Sequence, residues 1–197
     1  MNDVIAFASV SVDGFSSGPD NDLRRLHQWM YNFDTNQENG YNDHLIAEFR
    51  TAGVVVFGRT TFDAGQEPWG DDDVFSSPVV VVTREALEPV QRNGALFTFT
   101  SGSAQKILDH ARQRADGGTV VIMGSASIIQ QFLKANLIDV LMLHQVPVLL
   151  GRGTRLFSDD GVPAELDLEL FEPGPHVTQL KYALRRSTEG STPSAAT

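Results

Sequence analysis

Residues 119–153 constrain the fold of this 197-residue chain more than any other stretch. The segment opens with a short apolar run, Val120, Val121, Ile122 and Met123, of a length suited to a buried strand. It breaks at Gly124, Ser125, Ala126 and Ser127, then resumes with Ile128, Ile129, Phe132, Leu133 and Leu137 at helical spacing. A second apolar run over residues 140–150 follows almost at once, so the unit reads as strand, small-residue turn, helix, strand. Small residues at such a turn let another molecule approach the backbone. The N–H groups at the start of the helix favour an anionic group such as phosphate.

The remaining elements extend the same pattern. Residues 4–12 predict a strand that runs into a loop at Asp13-Gly14, and the turn formers Gly18-Pro19-Asp20-Asn21-Asp22 predict the cap of a short helix whose face carries Leu23, Leu26, Trp29 and Met30. Residues 32–42 are polar. Asp43 is placed to cap a second helix carrying Leu45, Ile46 and Phe49, stopped by Gly53. Residues 54–57 predict a second buried strand, opening into a polar turn at Gly58-Arg59-Thr60-Thr61. Residues 65–77 predict a surface loop, 78–83 a third strand ending in Arg84, 95–100 a weak strand, and 101–114 a helix ended by Gly117-Gly118. Alternation over 166–171, a turn at Pro173-Gly174-Pro175 and a return over 177–184 predict an antiparallel hairpin. Residues 187–197 have no apolar anchor and predict a disordered tail, leaving one domain over residues 1–186.

Apolar strands alternating with helices call for an α/β fold: a mostly parallel central sheet covered on both faces, here with an antiparallel C-terminal hairpin. Ligands of such sheets bind beyond the carboxyl ends of the strands. Asp13-Gly14, Gly58 to Thr61, Thr83-Arg84 and Gly124-Ser125 all fall at such ends and so can converge.

Composition removes several chemistries. With no cysteine there is neither a disulfide framework nor a thiolate nucleophile, and the five histidines (His27, His44, His110, His144, His176) have no metal-ligand spacing, so no metal is expected. A formal net charge of -10 with scattered basic residues argues against nucleic-acid binding. Residues 1–14 lack a basic leader, and no apolar run reaches the roughly 18 residues of a membrane span, which predicts a cytoplasmic protein with no membrane partner. Gly14-Phe15-Ser16-Ser17-Gly18 matches the G-x-S-x-G of a hydrolase elbow, but Gly18-Pro19-Asp20 prolongs the loop where the elbow requires a helix.

The candidate site residues each carry two readings. Arg59 and Arg84 are either solvated strand ends or phosphate forks, and Thr60, Thr61 and Thr83 beside them favour the fork, because hydroxyls join guanidinium groups in phosphate cradles. His144 reads equally as a satisfied core histidine or as a pocket wall. Asp13 reads first as a turn residue and Asp43 as a helix cap, with proton donation the second role of each.

Taken together, Ser11-Val12-Asp13-Gly14, Gly58-Arg59-Thr60-Thr61, Val80-Val81-Val82-Thr83-Arg84, the Gly124-Ser125 turn and Leu137-Ile138-Asp139 through Pro147-Val148-Leu149-Leu150-Gly151 resemble the dihydrofolate-reductase-like superfamily. The nearest resemblance is to stand-alone relatives of the C-terminal reductase domain of the riboflavin-biosynthesis deaminase-reductase, over residues 4–185. It implies a three-layer α/β/α fold and an NADPH-dependent reductase acting on a small carbonyl or imine-like acceptor, with 5-amino-6-(5-phosphoribosylamino)uracil as one such acceptor. The alternatives it leaves are a dihydrofolate (pterin) reductase and a noncatalytic nucleotide-binding module of the same fold. By this resemblance Ala8, Gly58, Arg59, Thr60, Thr61, Thr83, Arg84, Met123, Gly124, Ser125, Ala126, Ser127 and Ile128 would contact the cofactor. Within that set, Arg59, Thr60 and Thr61 would hold its phosphates, Thr83 and Arg84 the adenosine side with its 2′-phosphate, and Gly124 to Ile128 the pyrophosphate. Asp13, Asp43 and His144 would be the catalytic candidates, and a homodimer is expected. Two departures bear on the acceptor: Phe7 stands where riboflavin reductase domains usually carry Lys, and Met123-Gly124-Ser125 stands where they usually carry Glu-Gly-Gly.

Overall fold

In a computed structural model, which describes residues 2–32, 37–38, 51–65, 75–92, 94–161 and 163–185, the strand β1 (Val4–Ser11) is buried along its whole length. Its side chains alternate between two core layers, with Val4, Ala6, Ala8 and Val10 in one and Ile5 and Phe7 in the other. A strand buried on both faces must be central in a covered sheet.

Among the described residues the elements along the chain are β1, β2 (Phe15–Ser17), a 3₁₀ turn (Pro19–Asn21), α1 (Arg24–His27), β3 (Tyr31–Asn32), β4 (Gln37–Glu38), β5 (Val54–Gly58), α2 (Arg59–Gly65), β6 (Val79–Val82), β7 (Val90–Arg92) and β8 (Ala95–Thr100). They continue as α3 (Ala104–Arg112), β9 (Val120–Ile122), α4 (Ala126–Lys134), β10 (Val140–Val146), β11 (Thr154–Arg155), β12 (Leu166–Pro173) and β13 (Thr178–Leu184). Nine of the strands form one sheet in the order β12-β13-β10-β1-β9-β5-β6-β8-β7. The run from β10 to β8 is parallel throughout, and both edges are antiparallel. On one face α3 and α4 bury Ile107, Leu108, Ile129 and Phe132 against the sheet. On the other, Phe62 of α2, Phe75 and Ala52 cover Phe57, Val79 and Phe97. The fold is an α/β/α sandwich around a mostly parallel sheet with antiparallel edges.

Local chemistry accounts for the helices that flank the site. Ser103 caps α3 by accepting the Lys106 amide at 3.3 Å, and the 9-residue α4 begins just past Ser125, after a Gly124–Ser125 peptide that is cis. Two expectations change. Gly58 to Thr61 is not an open turn: α2 starts at Arg59 with no intervening loop, and Arg59 and Asp63 pair at the helical i,i+4 spacing. Strand β7 was not expected, because Val90-Gln91-Arg92 is short and polar and becomes a strand only by pairing with β8. The segment Phe15 to Ser17 forms a strand paired with β11, and the Ser16 hydroxyl donates to the Thr154 carbonyl at 3.2 Å, so the strand-to-helix elbow of a hydrolase is not built there. The expected helix after Asp43, most of the predicted loop over 65–77 and the predicted tail lie outside the described residues. No described helix is long and apolar enough to cross a membrane.

Candidate functional site

The parallel register sets the ends of β5 and β6 side by side, with Gly58 opposite Val82. Beyond them the chain turns, and the space between the turns is a cleft of about 580 Å³. Gly58, Arg59 and Thr60 come from the β5–α2 junction, Val82, Thr83, Arg84 and Glu85 from the end of β6, Ser101 and Gly102 from the end of β8, and Ser125, Ser127, Ile128 and Gln131 from the start of α4. Four strand ends thus contribute to one wall system, as expected for a sheet of this kind.

Backbone bonds hold these ends together. The Gly58 amide donates to the Gly124 carbonyl at 3.0 Å, the Met123 amide to Val56 at 2.9 Å, and the Thr83 amide to Thr100 at 2.9 Å. The Gln131 side-chain amide donates to the Gly102 carbonyl at 3.1 Å, tying α4 to the rim. A Cβ on Gly58 would stand 2.9 Å from the Ser125 hydroxyl and 3.3 Å from Ile128, so glycine keeps the floor open where strand end and helix start meet.

The electrostatics are mixed. Arg59 donates from Nε to Asp63 at 2.7 Å and from Nη1 to Glu85 at 2.6 Å, and these two carboxylates, Asp63 foremost, raise its pKa further. The Glu85 amide donates to the Thr83 hydroxyl at 3.2 Å, which fixes the turn that presents Glu85 to the cleft. Hydroxyls of Thr60, Thr83, Ser101, Ser125 and Ser127, two guanidinium groups and the first amides of α4 make a donor set suited to an elongated, multiply anionic ligand such as a dinucleotide. Among the described residues no group of three or more His, Cys, Asp or Glu is placed to hold a metal ion.

Of the residues expected at the cofactor, Gly58, Arg59, Thr60, Thr83, Arg84, Ser125, Ser127 and Ile128 line this cleft. Thr61 sits further along α2, Ala8 is buried in β1, Ala126 is buried in the first turn of α4, Met123 packs against the second core layer, and Gly124 meets the site through its carbonyl bond to Gly58. Val82, Glu85, Ser101, Gly102 and Gln131 line it as well, outside the expected set. Ser101-Gly102 follows a strand end, so the rule that located the others applies to it as well. Glu85 carries no such signal in the sequence, because an acidic side chain does not suggest a phosphate site.

Of the catalytic candidates, Asp13 and His144 do not line the cleft. Asp13 accepts the Ser11 hydroxyl at 2.6 Å, the Gly151 amide at 2.7 Å and the Leu150 amide at 3.1 Å; the Ser11 bond foremost, aided by the two amides, lowers its pKa to about 2. It is a turn clamp in this conformation. His144 is fully buried, stacked on Trp29 with ring centres 4.8 Å apart and in tilted contact with Phe7 at 4.4 Å. The Trp29 indole donates to Ser9 at 3.2 Å, fixing this cover over the ends of β1 and β10. Asp43 lies outside the described residues.

The chain is similar to several known proteins. The uncharacterised protein YwjB of Bacillus subtilis is 25% identical over 183 residues, spanning 90% of this chain and 95% of its own. A provisionally assigned riboflavin biosynthesis protein of Shewanella sp. PV-4 superposes with a TM-score of 0.75 at 25% identity, over 93% of this chain and 99% of the other. The fold is shared with the diaminohydroxyphosphoribosylaminopyrimidine deaminase/5-amino-6-(5-phosphoribosylamino)uracil reductase of Thermotoga maritima (TM-score 0.67, 13% identity, 93% of this chain and 57% of that one). It is shared too with the dihydrofolate reductase of Enterococcus faecalis in complex with NADP(H) (TM-score 0.57, 17% identity, 93% and 96%). Residues 2–180 match the RibD C-terminal domain, and the chain belongs to that family.

Proposed function

We propose that this protein is an NADPH-dependent reductase that delivers hydride to a small carbonyl or imine-like acceptor. The observation that carries the reading is the convergence of Arg59, Arg84 and a set of hydroxyls from separate strand ends on one cleft at the first turn of α4. The Thermotoga relative is a reductase by name and the Enterococcus one holds NADP(H), which supports the same reading. When bound, the dinucleotide supplies the hydride from its nicotinamide ring. The chain's own part is to hold and orient. Ser125, Ser127 and the α4 amides would receive the pyrophosphate, and Arg59, Thr60, Thr83 and Arg84 the adenosine side with its 2′-phosphate. Reduction would add that hydride to the acceptor carbon and a proton drawn from solvent to its heteroatom, and the chain's contribution would be to orient the two reactants.

The Lys and Glu usual in riboflavin reductase domains are absent, as Phe7 and Met123 show. A second reading, a noncatalytic nucleotide-binding module, draws on the engagement of Asp13 and the burial of His144.

Calorimetric and fluorescence titration with NADPH, followed by turnover of a carbonyl panel that includes dihydrofolate and 5-amino-6-(5-phosphoribosylamino)uracil, separates the readings. NADPH binding with oxidation by one acceptor is expected, and Arg84→Ala is expected to weaken NADPH at least about tenfold while NADH changes little. Binding without any turnover favours the module. No heat and no fluorescence change would sink both.

A further inference from the structure

One feature of the cleft works against the phosphate reading. Arg59, its principal cation at the β5–α2 junction, has Nε on Asp63 and Nη1 on Glu85. Asp63 belongs to the same helix and does not line the cleft, whereas Glu85 does. Glu85 reaches Arg59 from the neighbouring strand end, its backbone pinned by the Thr83 hydroxyl and its side chain 64% exposed and so able to move. Formally the two arginines, Arg59 and Arg84, are balanced by Asp63 and Glu85.

The two nicotinamide dinucleotides share a pyrophosphate and differ at the adenosine 2′ position. There one carries a hydroxyl and the other a phosphate of about -1.5 to -2 charge. A 2′-hydroxyl donates to a carboxylate, as acidic residues at other dinucleotide sites show. A 2′-phosphate is repelled by one and must compete with it for the same guanidinium. We infer that Glu85 is a specificity-determining residue: its carboxylate, held on Arg59, opposes a ribose 2′-phosphate and keeps the preference for NADPH over NADH below what Arg59 and Arg84 alone would set. The inference rests on the cleft being a dinucleotide site.

The test is calorimetric titration of the full chain and its Glu85→Gln and Asp63→Asn variants with NADPH, NADH, adenosine 2′,5′-bisphosphate and AMP at low ionic strength. Glu85→Gln, at an exposed position that leaves the melting temperature unchanged, tightens NADPH and the bisphosphate by about three- to tenfold, an effect of partly screened charge that shrinks in high salt. NADH and AMP stay within about twofold. Asp63→Asn removes the same charge from outside the cleft and gives a clearly smaller gain. The inference is overturned if Glu85→Gln weakens NADPH, if it shifts both dinucleotides by one common factor, or if Asp63→Asn matches it. Failure of the wild-type chain to bind either dinucleotide would instead overturn the dinucleotide reading, and this inference with it.

Discussion

At the scale of single residues, Asp13 shows how a polar side chain can be spent on architecture. The Ser11 hydroxyl donates to Asp13 and accepts the Phe15 amide at 2.9 Å, while the carboxylate takes the Leu150 and Gly151 amides from the segment after β10. The end of β1 is thereby fastened to the end of β10. Because its pKa falls from 3.8 in the unfolded chain to about 2 in the fold, the stability it contributes is complete above pH 4 and is lost as pH falls through 2. Asp13→Asn should therefore flatten the acid limb of melting temperature against pH between those values. It should also speed hydrogen exchange at the Leu150 and Gly151 amides about tenfold. An unchanged acid limb would show that the clamp carries no linkage. The turn role of Asp13 is legible in Ser-Val-Asp-Gly, but its partners are not, because nothing local to residues 11–14 points to residues 150 and 151.

At the scale of elements, the sheet's interior depends on a backbone crossing between the starts of β5 and β9. The Gly53 amide donates to the Thr119 carbonyl at 2.9 Å, and Gly53 and Gly118 pass so closely that a Cβ on either would lie 2.6 Å from the other's Cα. The Ala115 carbonyl closes the remaining space, at 2.5 Å from a Cβ on Gly53 and 2.9 Å from one on Gly118. These are backbone atoms and cannot step aside. Gly118→Ala should cost about 1–3 kcal/mol by overpacking, read as a drop in denaturant midpoint. Gly117→Ala, with φ of +76° and nothing within 4 Å, should lose only its backbone strain, about 1 kcal/mol. Equal losses would mean that conformation, not contact, sets the requirement at Gly118. Sequence reasoning reads Gly117-Gly118 as a helix stop, which is part of the story, since α3 ends at Arg112 and the chain turns through both glycines. The other part depends on Gly53, distant in sequence and close only in the fold. The same division runs through the site. Runs such as Val79 to Val82 declare strands and hence where the walls stand, whereas the Arg59–Glu85 pair exists only because β5 and β6 are neighbours.

At the scale of the whole molecule, the sheet is wider than the helices that cover it. On β12 and β13 the pairs Leu166–Leu184, Leu168–Tyr182 and Phe171–Leu180 stand in register, and the irregularity between Leu168 and Leu170 keeps Phe171 on the face of Leu168. Leu180, Tyr182 and Leu184 pack against the core layer under α3 and α4, yet Leu168 and Phe171 beyond them are 57% and 60% exposed. Large apolar side chains gathered on one edge mark a contact surface. Its rim carries both signs, Arg185 bonded to Glu165 and Asp167 with Lys181 nearby, in a chain whose formal net charge is -10. A two-fold axis would set this apolar face against its own copy, with side chains of both signs at the border to pair across it. We propose that a second copy of this chain covers the face. Sedimentation velocity at micromolar concentration should then show a dimer, and Leu168→Glu combined with Phe171→Glu should yield a monomer with an unchanged far-ultraviolet spectrum, because both side chains already face solvent in the single chain. A wild-type chain that stays monomeric up to about 100 μM, well above the dissociation constants of stable dimers, would leave this edge to some other partner.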